Sequence, residues 1–318
     1  MSESPESQLW NLLRGALTTR ALAVVAELGI ADALAGGPRP VAELADETGS
    51  DADSLRRFLR ALASDGVFAE ESPGVFGNTA ASEVLRRGGG WDDFAILFGG
   101  IWHRAAGELD ARTGEPTFPR IFGADFWSWL AEHRDERAAF DRAMAQGKER
   151  RVEQLAELDW RGDETLVDVG GGNGSLLVDL LARQPGQRGI VFDLPETNVD
   201  EESLGDRCTF VAGSFFDRVP PGDVYILSTI LHDWDDEHAA RILQTIHDGA
   251  PARTRVLILD SVVPAGNEPD GAKWLDLLML ALFAGRERDE AQWRGLLGTA
   301  GFEPVRIDEN LIEAEPRA

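Results

Sequence analysis

Apolar residues follow two different periods along the chain, and the change of period divides it. Up to about Trp160 they recur at helical spacing. Leu9, Leu12, Leu13 and Leu17, then Leu22, Val25 and Leu28 ahead of Gly29, predict helices that bury one face. From Pro40 to Gly66 the segment PVAELADETGSDADSLRRFLRALASDG predicts a helix, a break at Gly49-Ser50, and a second helix with a stripe of Leu55, Phe58, Leu59 and Leu62. In VFAEESPGVFGNT two short strands are expected around the turn residues Ser72-Pro73-Gly74, which completes the pattern of a winged helix. Helical spacing then resumes from Trp91, with aromatic patches in WDDFAILFGGIWH and FGADFWSWL.

From Thr165 short apolar strands alternate with helices: TLVDVG, GIVFDLP, CTFVAG, DVYILSTI, RVLILDSVV and EPVRID. Such alternation predicts an α/β fold with a parallel, doubly wound, Rossmann-like sheet covered on both faces. The late segment LIEA predicts an edge strand. The expected division is a mainly helical winged-helix domain over residues 1–98, and linking helices with the doubly wound domain over residues 99–318.

Composition narrows the function classes. With 43% hydrophobic and 27% charged residues the chain has the usage of a soluble globular protein. No apolar run reaches the length of a membrane span, and the start MSESPESQLW lacks the basic and apolar regions of a signal peptide, so a cytoplasmic location and no membrane partner are expected. The net charge of −25 repels polyphosphate, which makes nucleic acid a poor partner. In the winged helix, Arg56, Arg57 and Arg60 are flanked by Asp51, Asp53 and Asp65, so the element is expected to serve dimer formation rather than DNA. The single cysteine, Cys208, forms no disulfide within one chain and is expected to pack as a small hydrophobe.

In LVDVGGGNGSLL the glycines Gly170, Gly171, Gly172 and Gly174 fall on a strand-to-helix turn, where bare backbone admits a ligand. The spacing departs from the dinucleotide fingerprint, because Ser175 stands where a third glycine or alanine is required. Asp168, next to the open glycine backbone, suits an ammonium and carboxylate rather than a pyrophosphate. S-adenosylmethionine (SAM) presents such a zwitterion. Asp193, nineteen residues after Gly174 and at the end of the next strand, is placed to meet ribose hydroxyls.

Taken together, FW in FGADFW, LVDVGGGNGSLL, VFDLP, GSFF, ILHDWDDEHAARIL and AGRERDEAQW make the chain resemble the class I SAM-dependent small-molecule O-methyltransferases of plant phenolic and bacterial natural-product pathways. The resemblance covers nearly the whole chain. It implies a SAM-binding domain, a dimerisation domain at the amino end, a homodimer, and S-adenosylhomocysteine (SAH) as the spent cofactor. By it, Gly170, Gly172 and Asp193 match SAM contacts, and Ser214 and Phe215 match the pair that holds the adenine. Two positions depart from the family pattern: Ser214 replaces the more usual aspartate, and Ser228 stands where many plant members have a lysine.

His232, just past the strand VYILSTI, lies at the carboxyl edge of the expected sheet and is the best candidate for a general base. It also matches the catalytic histidine of the family's HDW motif. An imidazole assists a phenolic or enolic hydroxyl far more readily than an aliphatic alcohol, so the expected substrate is a small aromatic. The resemblance implies that Asp260 and Glu287 flank His232, with Asp260 shorter than the usual glutamate, while Asp233 is an alternative partner for the cofactor ammonium. Met144 and Met279 match pocket-lining helices; Phe140 precedes Met144 by one turn and Phe283 follows Met279 by one, so each pair should share a face. His103 follows an aromatic run and is a further candidate for the substrate pocket. No acid or histidine cluster has metal-ligand spacing, so no metal is expected. Two competing readings are an NAD-dependent oxidoreductase, opposed by Ser175, and a SAM-responsive winged-helix regulator without catalysis, opposed by the acidic charge.

Overall fold

The computed structural model, which describes residues 4–197, 199–249 and 254–317, holds two bodies of different architecture, and the helical period runs on into the second of them. By contacts, one unit comprises residues up to 108 together with 127–146, and the other residues 109–126 together with 147 onwards. The expected domain line at 98/99 is thus crossed by the helix Arg134–Met144, whose Arg142 donates from Nε and Nη2 to buried Asp93, at 2.6 and 2.8 Å. That fork anchors the later helix to the helix Trp91–Gly99 within the first unit.

In the first unit the helices Val41–Thr48 and Ala52–Ser64 meet at Gly49, which has φ +66° and closes the earlier helix in the left-handed region. Asp51 caps the next helix by accepting the Ser54 backbone N–H at 2.8 Å. Strands β1 (Arg39–Pro40), β2 (Phe68–Ser72) and β3 (Val75–Asn78) form a small antiparallel sheet in the order β1-β3-β2. Leu55, Leu59 and Leu62 pack with Phe68 and Phe76 beneath this wing. One expectation fails for the single chain. Leu9, Leu12, Leu13 and Leu17 are all exposed, Leu13 by 74%, because none of the described residues covers that face.

The second unit holds a seven-stranded sheet: β4 (Thr165–Val169), β5 (Arg188–Asp193), β6 (Cys208–Ala212), β7 (Val224–Ser228), β8 (Arg255–Leu259), β9 (Phe302–Asp308) and β10 (Leu311–Pro316). Their order is β6-β5-β4-β7-β8-β10-β9. Successive residues alternate between the two faces, so Val167, Tyr225, Leu227, Val256 and Ile258 bury one side, and Leu166, Ile226 and Leu257 the other. The first five strands are parallel, but β10 runs antiparallel to both β8 and β9. The sheet is therefore mixed rather than wholly parallel. LIEA is an interior strand rather than an edge, since a tight hairpin folds β10 back between β8 and β9. The order reverses between β4 and β7, and there the carboxyl ends of the strands open a ligand crevice. Among the described residues no helix is long and apolar enough to cross a membrane.

Candidate active site

The glycine turn sits at the end of β4. Gly170, Gly172 and Gly174 have φ of +71°, +56° and +78°, a region that strains any side chain, and the helix Ser175–Arg183 starts directly after. A Cβ on Gly170 would lie 2.5 Å from Ile230 Cδ1, and one on Gly171 2.7 Å from Asp168 Oδ2, whereas one on Gly172 would meet open space. The Gly172 N–H donates to Asp193 Oδ2 at 2.8 Å, while Asp193 Oδ1 accepts the Leu194 N–H at 2.7 Å and the Thr197 hydroxyl at 2.8 Å. Asp193 thereby tethers the turn and keeps acceptor capacity on Oδ2 for a ligand hydroxyl.

Asp168 is buried beneath this turn. Its carboxyl is pushed up to about 7, first by burial and then by the charge of Asp193, against the pull of Arg151. Sequence reasoning did not single out Arg151. It stands on the helix Lys148–Ala156 and donates from Nη1 to Ser228 Oγ at 3.3 Å, while its charge also acts on Asp168 and Asp260. A cation thus meets Ser228 from a helix far away in sequence. Ser214 Oγ accepts the Phe216 N–H at 3.2 Å, and Phe215 stands edge-on to Phe216 and Trp234.

Beyond β7 the backbone is strained. Thr229 has φ +54°, and among the described residues it is the one non-glycine with positive φ, a conformation costing about 1–3 kcal/mol. A 3₁₀ turn, Leu231–Asp233, follows and carries His232. His232 Nδ1 is 2.7 Å from Glu287 Oε1, and because a carboxylate only accepts, the proton of that bond belongs to Nδ1. Nε2 lies 3.4 Å from Asp233 Oδ1. Among the described residues Glu287 Oε2 and both oxygens of buried Asp260 have no hydrogen-bond partner of good geometry, although the His232 main chain draws the Asp260 carboxyl down. Burial opposes a charge on the imidazole, but Asp233, Asp260 and Glu287 outweigh it and push His232 up to about 10. Burial in turn raises Asp233 to about 7 and Asp260 to about 6, although the imidazolium draws both down. The Glu287 N–H is itself fixed by Asp276 Oδ1 at 2.9 Å.

The second unit thus gathers His232, Asp260 and Glu287 in one cluster, and sets Asp168, Gly170, Gly172, Asp193, Ser214, Phe215 and Ser228 around the ends of the same strands. Met279 is buried in the helix Ala272–Leu282. Phe283 does not continue its face: with φ −125° and ψ −173° it leaves the helix, and its ring packs edge-on to Phe126 at 4.9 Å. His103, Phe140 and Met144 belong to the first unit, where Phe140 stands edge-on to Trp102 and Trp127. Among the described residues no group of three or more His, Cys, Asp and Glu is placed to hold a metal ion.

Comparison with known proteins gives this geometry a context. The sequence matches the O-methyltransferase domain over residues 102–303 and the O-methyltransferase dimerisation domain over residues 10–88. It is 38% identical to a phenazine O-methyltransferase of Lysobacter antibioticus, over 98% of this chain and 96% of that protein. It is 36% identical to the 3-amino-4-hydroxybenzoate 4-O-methyltransferase of Streptomyces cremeus, over 86% of this chain and 79% of that one. Among solved structures, an O-methyltransferase from neocarzinostatin biosynthesis, in complex with SAH and 1,4-dihydroxy-2-naphthoic acid, superposes with a TM-score of 0.81 at 34% identity, covering 94% of this chain and 96% of that one.

Proposed function

Because the chain belongs to the O-methyltransferase family, we propose that it transfers the methyl group of SAM to a phenolic or enolic hydroxyl of a small aromatic molecule, with His232 as the general base. The observation that carries this reading is the imidazole of His232, held through Nδ1 by Glu287 at 2.7 Å and set beside the strand ends that carry the glycine turn.

The residues present fit the cofactor. Gly170 and Gly172 would leave backbone open to it, Asp193 would meet the ribose hydroxyls with its remaining acceptor site, Phe215 would lie against the base, and Ser214 would offer its hydroxyl hydrogen. Asp168 would take the ammonium, and Arg151, held at Ser228, the carboxylate. When bound, SAM supplies a methyl that is already electrophilic. The protein then has two tasks: to hold the acceptor oxygen in line, worth several kcal/mol, and to take its proton. Neutral His232 accepts that proton at Nε2, and Glu287 stabilises the resulting imidazolium through Nδ1. Relatives acting on phenazine, aminohydroxybenzoate and naphthoate support a planar aromatic acceptor. The dimerisation-domain match and the exposed leucine face support a homodimer, in which the second copy would cover Leu9, Leu12, Leu13 and Leu17.

The test pairs chemistry with binding. Labelled SAM is incubated with the enzyme and a panel of phenols, naphthoates, polyketide aromatics and aromatic amines, and products are read by mass spectrometry. His232→Ala is expected to lower turnover by about 10² or more while SAH affinity by calorimetry stays within a few fold. Unchanged turnover would remove the base role. Heat from NAD but none from SAM or SAH would overturn the cofactor assignment.

A further inference from the structure

The turn that carries His232 has little to hold it from within. It is a 3₁₀ turn of three residues, entered through the strained Thr229. What holds it is a second segment, Gly285 to Arg288, distant in sequence. A Cβ on Gly285 would lie 2.1 Å from the His232 carbonyl oxygen, so the two backbones meet at a separation only glycine permits. The Arg286 N–H donates to that same carbonyl at 2.8 Å. Glu287 holds the ring.

Arg288 completes the grip from below. It is fully buried, at 0% exposure, and lies 5.3 Å over the ring of Trp293. Nη1 donates to the Leu231 carbonyl at 2.9 Å, Nη2 to the Trp234 carbonyl at 2.8 Å, and Nε to Asp236 Oδ1 at 2.9 Å. The two carbonyls bracket His232 and Asp233. A buried guanidinium is costly unless its donors are met, and here a planar fork spans both ends of the turn as no single ammonium would. Its main chain is fixed as well, since the Val263 N–H donates to the Arg288 carbonyl at 2.9 Å.

We infer that Arg288 is a positioning residue for methyl transfer: by clamping the carbonyls of Leu231 and Trp234 it fixes the tilt of the His232 ring against Glu287, without itself touching substrate. The inference rests on His232 being the base. It makes Arg288, rather than the histidine's own loop, the source of the ring's orientation.

The experiment compares Arg288→Lys, which keeps the charge and loses the fork, with the wild-type enzyme and with His232→Gln. Thermal unfolding and SAH calorimetry are run alongside steady-state kinetics and NMR of the protein labelled with ¹⁵N-histidine. The His232 Nδ1–H resonance is identified by its absence in His232→Gln. In R288K we expect kcat to fall about ten- to a hundredfold, KM for SAM to stay within about threefold, and the Nδ1–H resonance to broaden or vanish. A lower unfolding temperature with kcat and the resonance unchanged would overturn the inference and leave Arg288 a purely structural role. If R288K does not yield folded protein, Asp236→Ala removes the exposed partner that aims Nε, together with its 3.3 Å pair to Arg286 Nη1, and Arg286→Ala, which loses that second pair alone, is the control; the same changes at reduced size are expected in Asp236→Ala and not in the control, and an unaltered resonance and kcat in Asp236→Ala would again overturn the inference. Should His232→Gln keep full turnover, the base assignment fails instead, and the Nδ1–H resonance alone decides whether Arg288 fixes the ring.

Discussion

Replacing Glu287 with Gln separates charge from shape at the base. Glu287 lies 2.7 Å from His232 Nδ1 and is one of three carboxylates that push the imidazole up to about 10. An opposite charge at such a distance shifts a neighbour by about 1–3 units, each worth about 1.36 kcal/mol. A base is active only when neutral, so in the ligand-free protein near pH 7 the carboxylates favour the protonated ring that cannot accept a further proton. Glu287→Gln removes one of the charges that hold the proton on. The ascending limb of kcat/KM for SAM, which reports the free enzyme, is therefore expected to move to lower pH by about 1–3 units.

The plateau should move the other way. A glutamine amide that donates to Nδ1 forces the ring proton onto Nε2, the tautomer that cannot accept from substrate; in the serine protease triad the equivalent change costs about 10⁴. Here no described residue partners Glu287 Oε2, so the amide is able to present its oxygen to Nδ1, and a loss of about 10² is expected. At pH 7 the two effects nearly cancel, and a single-pH assay would record a bland substitution. Initial rates from about pH 5.5 to 10 at constant ionic strength separate them. A limb that stays in place or moves to higher pH would refute the reasoning about the carboxylate cluster, whatever happens to the plateau.

Two further outcomes follow from the same geometry. Gly172→Ala places a methyl in open space above the turn, in a backbone with φ +56°; its unfolding temperature should drop by only a few degrees while the SAH dissociation constant rises about tenfold or more, and calorimetry showing unchanged affinity would mean that the cofactor does not cross this turn. The ligand-free protein should lose stability as pH rises from about 5 to 9. Asp168, Asp233 and Asp260 are raised to about 7, 7 and 6, so the stability they contribute is complete below their unfolded value near 3.9 and is lost as pH rises through the folded values. The contribution of His232 is complete below about 6.5 and is lost as pH rises through about 10. Differential scanning across this range on the wild type and on Asp168→Asn checks the sign: the variant should flatten the acidic half of the slope, and a wild-type stability that climbs with pH would contradict it.

What the sequence made legible was what repeats locally. The switch of period near Thr165, the glycine turn with Asp168, and the HDW histidine each lie within a short window of sequence. What it hid depends on which distant segments meet. Periodicity says that Leu9, Leu12, Leu13 and Leu17 share a face, yet not that the described residues leave that face exposed. LIEA reads as a strand, but its seat between β8 and β9 is set by hairpin pairing that no composition encodes. Phe283 continues a helical stripe on paper and leaves the helix in three dimensions. Arg151 and Arg288 carry no local sign of their contacts, because their partners, Ser228 in one case and the main-chain carbonyls of Leu231 and Trp234 in the other, lie far off in sequence.

Those two arginines also complete the electrostatic picture of the strand ends. Asp168, Asp193, Asp233, Asp260 and Glu287 converge there, against Arg151, Arg288 and a protonated His232. Arg288 spends its donors on main-chain carbonyls and Asp236, while the charge of Arg151 acts on Asp168 and Asp260. Such a site carries an excess of negative charge in a region of low dielectric, where an unbalanced charge is felt most strongly. A ligand bearing two phosphates would add to the excess. One bearing a sulfonium and an ammonium beside a single carboxylate would relieve it, placing its one anionic group at Arg151 and its cations among the acids. The same field explains why Asp168 and Asp260 are held toward their neutral forms in the ligand-free protein and why the imidazole holds its proton. Charge balance thus disfavours a nicotinamide dinucleotide independently of the Ser175 departure.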